Sequence, residues 1–181
     1  MKKWKIEHTR SLISSYFLKV SIEDVRFPHG GTQQYFVTQG PSTVLIIGIN
    51  DDGKILLVKE YKHGAKHVLW GFPTGMVREH EKNILGEAKR EFKEETGMVA
   101  EKWEEIGKIS LFPHRERSLV YVYVGFNLKK VVDQDLEPSE RIECYLFDIQ
   151  TAKRKLVFQQ PINAPALAAF CLFQEKVSYR R

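Results

Sequence analysis

The stretch Arg90-Glu91-Phe92-Lys93-Glu94-Glu95-Thr96-Gly97 decides the fold, because it crowds three carboxylates into little more than one helical turn and ends in glycine. Residues three and four apart share a helix face, so Glu91 lies beside both Glu94 and Glu95. Like charges at these spacings oppose helix formation unless a cation neutralises them. Hard oxygen donors suit Mg²⁺ or Mn²⁺, and such an ion normally takes its remaining ligands from substrate phosphates. An ordinary solvated, salt-bridged helix face is the alternative interpretation.

The chain that precedes this stretch favours the cation-binding interpretation. The segment Gly71-Phe72-Pro73-Thr74-Gly75-Met76-Val77 is rich in turn residues, and a helix is predicted from about residue 83 to residue 96. Gly97 follows that helix, and glycine is the residue that most often ends a helix in the left-handed conformation. A glycine loop, an acidic helix and a glycine stop in succession are much rarer than any one of them.

With these residues the chain resembles the Nudix hydrolase family, whose signature is a glycine, a glutamate and then Arg-Glu-apolar-X-Glu-Glu-X-Gly-apolar. Residues 90–98 match the second half at every specified position, Gly97 included. In the first half, Gly75 and Glu81 keep the family's five-residue gap, but eight residues rather than seven separate Glu81 from Arg90. One inserted residue is the simplest explanation. It leaves the helical glutamates in register, while it can aim Glu81 away from the metal.

The resemblance covers nearly the whole chain and points to one branch of the family. Residues 53–63 are similar to the strand that precedes the signature in the ADP-ribose and nucleoside diphosphate sugar pyrophosphatases. Glu60 and Lys62 replace two of the usual polar residues of that strand, which keeps a cation but loses the bidentate geometry of arginine. Gly71 and Thr74 also depart from the branch, which commonly has glutamate and alanine there.

The resemblance implies an α/β fold, a Nudix-type α/β/α sandwich with a mixed sheet, plus an N-terminal antiparallel sheet involved in dimerisation. The expected division is an N-terminal β subdomain over residues 1–40, for dimerisation and base stacking, and a Nudix hydrolase domain over residues 41–181. A homodimer is therefore the expected assembly.

Hydrophobic periodicity predicts the elements independently of the resemblance. The predicted strands lie at residues 16–22, 32–37, 43–49, 55–61, 103–110, 118–127 and 141–148, with turns at 28–31 and 50–53. A final helix is predicted from about residue 164 to residue 176. Together with the acidic helix, these elements indicate a mixed sheet with helices on its faces.

The reaction that the resemblance implies is attack by a metal-activated water on one phosphorus of a pyrophosphate, giving a nucleoside monophosphate and a sugar phosphate. The implied metal ligands are Glu91 and Glu95, with Glu94 close by and the backbone carbonyl of Thr74. The implied cofactor is Mg²⁺, with Mn²⁺ as the alternative.

The catalytic candidates are Glu140, Glu94 and Arg90. Glu140 lies in a stretch, residues 137–143, that resembles the loop carrying the general base in this branch. An exposed loop carboxylate is the alternative interpretation of Glu140, and Glu91 or Glu94 would then serve as the base.

Substrate recognition is assigned by alignment with the same branch. Phe17 and Tyr35 align with aromatic residues that sandwich the base in related ADP-sugar hydrolases, although alternating aromatics in a strand are as often core residues. Lys62, Arg78 and Arg115 are candidates for phosphate contacts, and each is equally compatible with a surface cation.

Composition excludes several other classes of function. A chain of 181 residues with 43% hydrophobic content can bury one substantial core. The net charge of +5 is modest and lacks the clustered basic patch of a nucleic-acid binder. Cys144 and Cys171 are expected to be reduced core thiols. No signal peptide is expected from residues 1–8, and no apolar run is long enough to cross a bilayer, so the expected location is the cytoplasm.

Three hypotheses follow. The first is a Mg²⁺-dependent pyrophosphatase of ADP-ribose, ADP-sugars or other nucleoside diphosphate hexoses. The second is a Nudix hydrolase of nucleoside triphosphates, dinucleoside polyphosphates or capped RNA. The third is a sensor module that binds ADP-ribose without cleaving it, which only the altered spacing of Glu81 favours.

Overall fold

The computed structural model of the chain describes residues 2–178. The strands are β1 (Lys5–Ser14), β2 (Lys19–Arg26), β3 (Thr32–Gln39), β4 (Thr43–Ile49), β5 (Ile55–Lys62), β6 (His67–Gly71), β7 (Thr74–Met76), β8 (Met98–Ser110), β9 (Leu119–Lys130) and β10 (Ile142–Phe147). The helices are α1 (Ile84–Thr96), α2 (Ile149–Phe158) and α3 (Ala164–Ser178). The described elements form two compact units, one of residues 2–42 with 110–119 and the other of residues 43–109 with 120–178.

The first unit contains a three-stranded antiparallel sheet in the order β1-β2-β3. The sequence predicts the second and third of these strands, with β2 beginning three residues later than expected at Lys19. It misses β1, because nearly every residue of this strand is exposed and no buried face imposes an alternating pattern. The predicted antiparallel N-terminal sheet is therefore confirmed, with one strand more than the pattern indicated.

A segment distant in sequence completes the first unit. The backbone of Thr38 on β3 accepts a hydrogen bond from the Arg117 N–H at 3.0 Å and donates one to the Arg115 carbonyl at 2.8 Å. In addition, Arg117 forms a 2.7 Å ion pair with Glu23 of β2, whose side chain is buried. Residues 110–119 thus belong with the N-terminal sheet, a connection that no local sequence pattern indicates.

The second unit is built on a seven-stranded mixed sheet in which β10, β5, β4, β9 and β8 follow one another. The central strand β4 runs parallel to β9 and antiparallel to both β5 and β7. The strands predicted at 43–49 and 55–61 coincide with β4 and β5 to within one residue.

Helices cover both faces of this sheet, and the alternation of side chains along β4 shows how. Leu45 and Ile47 point into the larger core cluster, which includes Ala152 and Leu156 of α2 and Phe170 of α3. Their neighbours on the opposite face of the strand join a second cluster with Phe92 of α1. Because successive strand residues face opposite sides, one strand serves both cores. The predicted α/β/α sandwich is confirmed.

The ends of α1 are fixed by its flanking residues. Asn83 caps the first turn, since its side-chain oxygen accepts the Gly86 N–H at 2.9 Å. Gly97 ends the helix with φ at 66° and donates its N–H to the Lys93 carbonyl at 2.8 Å. The left-handed φ favours glycine, so the predicted glycine stop is confirmed.

The C-terminal part contains one helix that the sequence analysis did not predict. Asp148 caps α2 by accepting the Thr151 N–H at 2.8 Å, and this Asp-x-x-Thr pattern is a recognisable start signal. The predicted final helix begins at Ala164 as expected, as α3. Within residues 2–178, no helix combines the length and the apolar character that a membrane crossing requires.

Candidate active site

The most deeply buried carboxylate of the acidic helix is Glu95. Its side chain is only 4% exposed, on the face of α1 that turns toward the sheet. One carboxylate oxygen accepts the backbone N–H of Thr74 at 3.0 Å. This bond places the predicted carbonyl ligand, Thr74, directly beside the predicted carboxylate ligand.

Three charged residues from β5 and from the loop before β10 act on Glu95. Burial raises the pKa of its carboxyl well above the ordinary value, and Lys62 on β5 partly opposes that rise. Glu60 on β5 and Glu140 in the loop before β10 raise the pKa of Glu95 further by repulsion. Negative charge is thus concentrated around a buried carboxylate, which is the environment that a bound cation relieves.

The second predicted ligand, Glu91, lies against the glycine loop. Its side chain is 15% exposed, and its pKa is raised mainly by burial, with the charges of Glu94 and Glu140 adding to the shift and Arg90 opposing it. A Cβ atom built on Gly75 would overlap the carboxyl group of Glu91. Only glycine at this position leaves room for the carboxylate.

Arg90 holds the acidic side chains of α1 together. Its guanidinium donates to Glu87 at 2.9 Å, to Glu94 at 2.5 Å and to Glu91 at a very short distance. Burial lowers the pKa of Arg90, but the three carboxylates outweigh that effect and the net shift is upward. The Nε atom of Arg90 is buried and has no hydrogen-bond partner within the described part of the chain.

The structure separates Glu81 from the other glutamates of the signature. Glu81 is exposed, and its carboxylate accepts the backbone N–H of Asn83 at 2.6 Å in the turn before α1. Arg78, in the same loop, forms a 3.4 Å ion pair with the buried Glu87. Glu87 is the acidic residue of this site that the sequence analysis did not single out, although its spacing of three from Arg90 predicts such a pair.

Glu140 and Lys62 lie close enough to act on the helix through their charges. The carboxylate of Glu140 accepts the Glu137 N–H at 3.0 Å, which shapes the tip of its loop. Lys62 forms an ion pair with Glu60 at 2.5 Å, so the two residues that depart from the branch pair with one another. Their roles as general base and phosphate contact stay predictions.

The carboxylate oxygens of α1 are suitable ligands for a divalent cation, although they do not point to one common position in the structure. Among residues 2–178, no three His, Cys, Asp or Glu side chains are grouped closely enough to hold a metal ion. The reason lies in the contacts above, since Arg90 holds Glu91 and Glu94 while the Thr74 N–H holds Glu95. The carboxylates are nevertheless oxygen donors with excess buried charge, which are the features that Mg²⁺ and Mn²⁺ require.

The predicted base-stacking residues lie in the first unit but in different surroundings. Tyr35 lines a cavity of about 490 Å³, and Trp4 lies beside it with ring centroids 5.7 Å apart. Arg115 lines the same cavity. In contrast, Phe17 is largely exposed and contacts Tyr16 at 5.0 Å between ring centroids. The cavity therefore contains two of the predicted substrate contacts and one aromatic residue, Trp4, that the sequence analysis missed.

The fold and the candidate site together indicate a protein that binds a phosphate compound through a divalent cation. A mixed α/β sandwich presents buried helical carboxylates to a glycine loop, an arrangement suited to a cation and the phosphates that the cation carries. Comparisons with known proteins lead to the same class.

The chain belongs to the Nudix family, because the NUDIX domain model matches its residues 40–170. The ADP-ribose pyrophosphatase of Bacillus subtilis is 24% identical over 166 residues, which cover 91% of this chain and 89% of that protein. The ADP-ribose pyrophosphatase of Mycobacterium tuberculosis is 27% identical over 174 residues, covering 90% of this chain and 82% of that protein.

A solved structure, described as the crystal structure of ADP compounds hydrolase, superposes with a TM-score of 0.83 at 23% identity. The match covers 99% of this chain and 97% of that chain, and at this identity it supports the fold alone. Together these comparisons confirm the family and the branch that the sequence resembles. Members of the family generally depend on a divalent metal ion.

Proposed function

We propose that this protein hydrolyses the pyrophosphate bond of nucleoside diphosphate sugars, with ADP-ribose as the first candidate, to a nucleoside monophosphate and a sugar phosphate. The observation that carries the proposal is the buried Glu95, which is bonded to the glycine loop and faced by Lys62, Glu60 and Glu140. The two relatives described above are both ADP-ribose pyrophosphatases, which supports ADP-ribose over other substrates of the family.

The proposed cofactor is Mg²⁺, with Mn²⁺ as a substitute. Glu91 and Glu95 would hold the ion, assisted by Glu94 and the carbonyl of Thr74. When bound, the ion would neutralise phosphate charge and lower the pKa of a water molecule. To bind it, Glu91 and Glu94 must turn away from Arg90, which holds both carboxylates now.

Glu140 is the proposed general base. The support for this role is that the charge of Glu140 raises the pKa of both Glu91 and Glu95. Glu94 is the weaker candidate, because its carboxylate already accepts a hydrogen bond from Arg90.

The cavity lined by Tyr35 and Arg115 is proposed to bind the nucleoside base and part of the diphosphate. Trp4 and Tyr35 provide aromatic surface for stacking, and Arg115 provides a cation. Phe17 stays a candidate only for a contact outside this cavity, and Lys62 and Arg78 stay candidates for phosphate contacts in the second unit.

A homodimer is proposed as the working assembly. The first unit exposes several large apolar side chains on or beside its sheet: Leu12, Ile13, Phe17, Leu18 and Phe36. Apolar surface of this extent is characteristic of protein interfaces, and a second copy of the chain is the proposed occupant. Cys144 and Cys171 are both free thiols, as expected, and this is consistent with the proposed cytoplasmic location. The expectation that both lie in the core is wrong for Cys171, which is exposed.

The test is a product analysis across ADP-ribose, nucleoside diphosphate hexoses, dinucleoside polyphosphates and nucleoside triphosphates, each with Mg²⁺ and with EDTA. The proposal predicts metal-dependent cleavage of ADP-ribose to AMP and ribose 5-phosphate, resolved by ion-exchange chromatography. Preferred cleavage of nucleoside triphosphates or dinucleoside polyphosphates would contradict the proposal and support the second hypothesis, a Nudix hydrolase of those substrates. Tight ADP-ribose binding without any turnover would indicate a sensor.

A further inference from the structure

Glu87 is a buried charge that the proposed metal site does not use. It lies in the first turn of α1, and only 5% of its surface is exposed. One carboxylate oxygen accepts a 2.9 Å hydrogen bond from Arg90 and lies 3.4 Å from the Nε of Arg78. A carboxylate this deeply buried is costly unless it is paired, and both of its partners are guanidinium groups.

Arg90 connects Glu87 to the metal site. The Nη2 atom that donates to Glu87 donates also to Glu91, while Nη1 donates to Glu94. The same guanidinium therefore competes with any cation for the carboxylates of Glu91 and Glu94. Because the Nε of Arg90 has no partner among the described residues, these Nη contacts determine where the group lies.

Glu81 is not placed to take over this contact. Its carboxylate accepts the Asn83 N–H at 2.6 Å, and its side chain is exposed rather than turned under α1. Within residues 2–178, Arg90 forms ion pairs with Glu87, Glu91 and Glu94 but not with Glu81. Glu87, three residues before Arg90 on the same helix face, makes the contact instead.

We propose that Glu87 is a positioning residue that anchors Arg90 and so allows Glu91 and Glu94 to turn toward a divalent cation. The inference rests on the metal site of the proposed function. Removing the charge of Glu87 leaves Arg90 with Glu91 and Glu94 as its only acidic partners on the helix, so the guanidinium competes with the ion more strongly. Cation affinity, rather than fold, is the property that depends on Glu87.

The experiment measures Mn²⁺ affinity by electron paramagnetic resonance of the free ion, in the absence of substrate. Glu87→Gln is expected to weaken Mn²⁺ binding at least tenfold while the circular dichroism spectrum stays unchanged. Glu101→Gln is the matched control, since Glu101 is also ion-paired, with Lys129, but on β8. This control is expected to change affinity less than twofold.

Two further variants separate positioning from simple stabilisation. In an Arg90→Gln background, Glu87→Gln should cause no additional loss of Mn²⁺ affinity, because its effect passes through Arg90. If the losses of Mn²⁺ affinity caused by Arg90→Gln and Glu87→Gln add up in the double variant, the proposal is overturned. It is also overturned if Glu81→Gln lowers Mn²⁺ affinity as much as Glu87→Gln does. If Glu87→Gln fails to fold, Glu87→Asp keeps the charge but shortens its reach and should weaken binding at least threefold. Unchanged affinity in that variant would overturn the proposal.

The outcomes also separate this inference from the proposed function. Wild-type protein that binds Mn²⁺ but cleaves no diphosphate sugar contradicts the function, while the Glu87 comparison still decides the inference. Wild-type turnover together with less than tenfold loss of affinity in a folded Glu87→Gln contradicts the inference alone. Wild-type protein that binds no Mn²⁺ contradicts both.

Discussion

Replacing Gly75 by alanine tests whether Glu91 needs the space that the glycine loop leaves for its side chain. The added Cβ would overlap the Glu91 carboxyl group, and β7 cannot easily retreat because Gly75 pairs with Val44 on the central strand β4. The side chain of Glu91, which is partly exposed, must therefore move away. The φ angle of Gly75 lies outside the left-handed region, so the substitution introduces no backbone strain of its own.

The expected effect falls on catalysis far more than on stability. Displacing a metal ligand by an ångström or more typically lowers turnover by about 100-fold, which corresponds to about 2.7 kcal/mol in the activation free energy. The free energy of unfolding should change by less than ~1 kcal/mol, since the strain is relieved at a partly exposed side chain. The assay is kcat for ADP-ribose hydrolysis, with urea unfolding of the same samples.

The matched control is Gly64→Ala, because a Cβ atom at Gly64 meets nothing within 4 Å. A double-variant cycle with Glu91→Gln makes the test specific, since Gly75→Ala should have little further effect once the carboxylate is gone. Near wild-type kcat in Gly75→Ala, or fully additive losses in the double variant, would refute the reasoning.

Three other predictions address charge and burial. Burial raises the pKa of Glu95 above its ordinary 4.5, so the metal-free protein should lose stability relative to Glu95→Gln as pH rises from about 4.5 toward neutrality. Melting temperatures measured in EDTA across this pH range check the prediction. A wild-type melting temperature that rises relative to that of the variant as pH rises would contradict it. Burial also raises the pKa of Cys144 to about 11, so iodoacetamide at pH 8 should alkylate it roughly 100-fold more slowly than the exposed Cys171. Peptide mass spectrometry after timed quenching measures both rates, and equal rates would show that Cys144 is accessible. Finally, Arg117→Ala should lower the free energy of unfolding of the first unit by about 2 kcal/mol, because it leaves the buried Glu23 without its cation. Urea titration of the variant would contradict this if the midpoint did not move.

The sequence predicted best the parts of the fold that local chemistry determines. The acidic helix was placed to within a residue because Asn83 caps it and Gly97 ends it. The apolar runs of β4 and β5 are nearly continuous, as expected for strands that are buried on both faces. Strand β1 has no buried face and therefore left no alternating pattern to find.

The candidate site was predictable where the family signature or the resemblance to the branch specifies residues. Glu140 and Thr74 were assigned through the resemblance to related sequences, because the contact of Thr74 with Glu95 depends on long-range packing that a linear pattern does not contain. The same is true of Trp4 in the cavity with Tyr35. The altered spacing between Glu81 and Arg90 was visible in the sequence, and in the structure Glu81 accepts the Asn83 N–H. Glu87 was overlooked because a glutamate in a helix rich in glutamate is unremarkable until burial distinguishes it.

The most direct test of the central claim is the ³¹P NMR spectrum of ADP-ribose incubated with Mg²⁺ and either wild-type protein or Glu95→Gln. With wild type, the diphosphate resonances should disappear and two monoester resonances, from AMP and ribose 5-phosphate, should grow in equal amounts. Glu95→Gln should leave the diphosphate intact over the same period. An unchanged diphosphate with wild type, or equal conversion by the two proteins, would contradict the account.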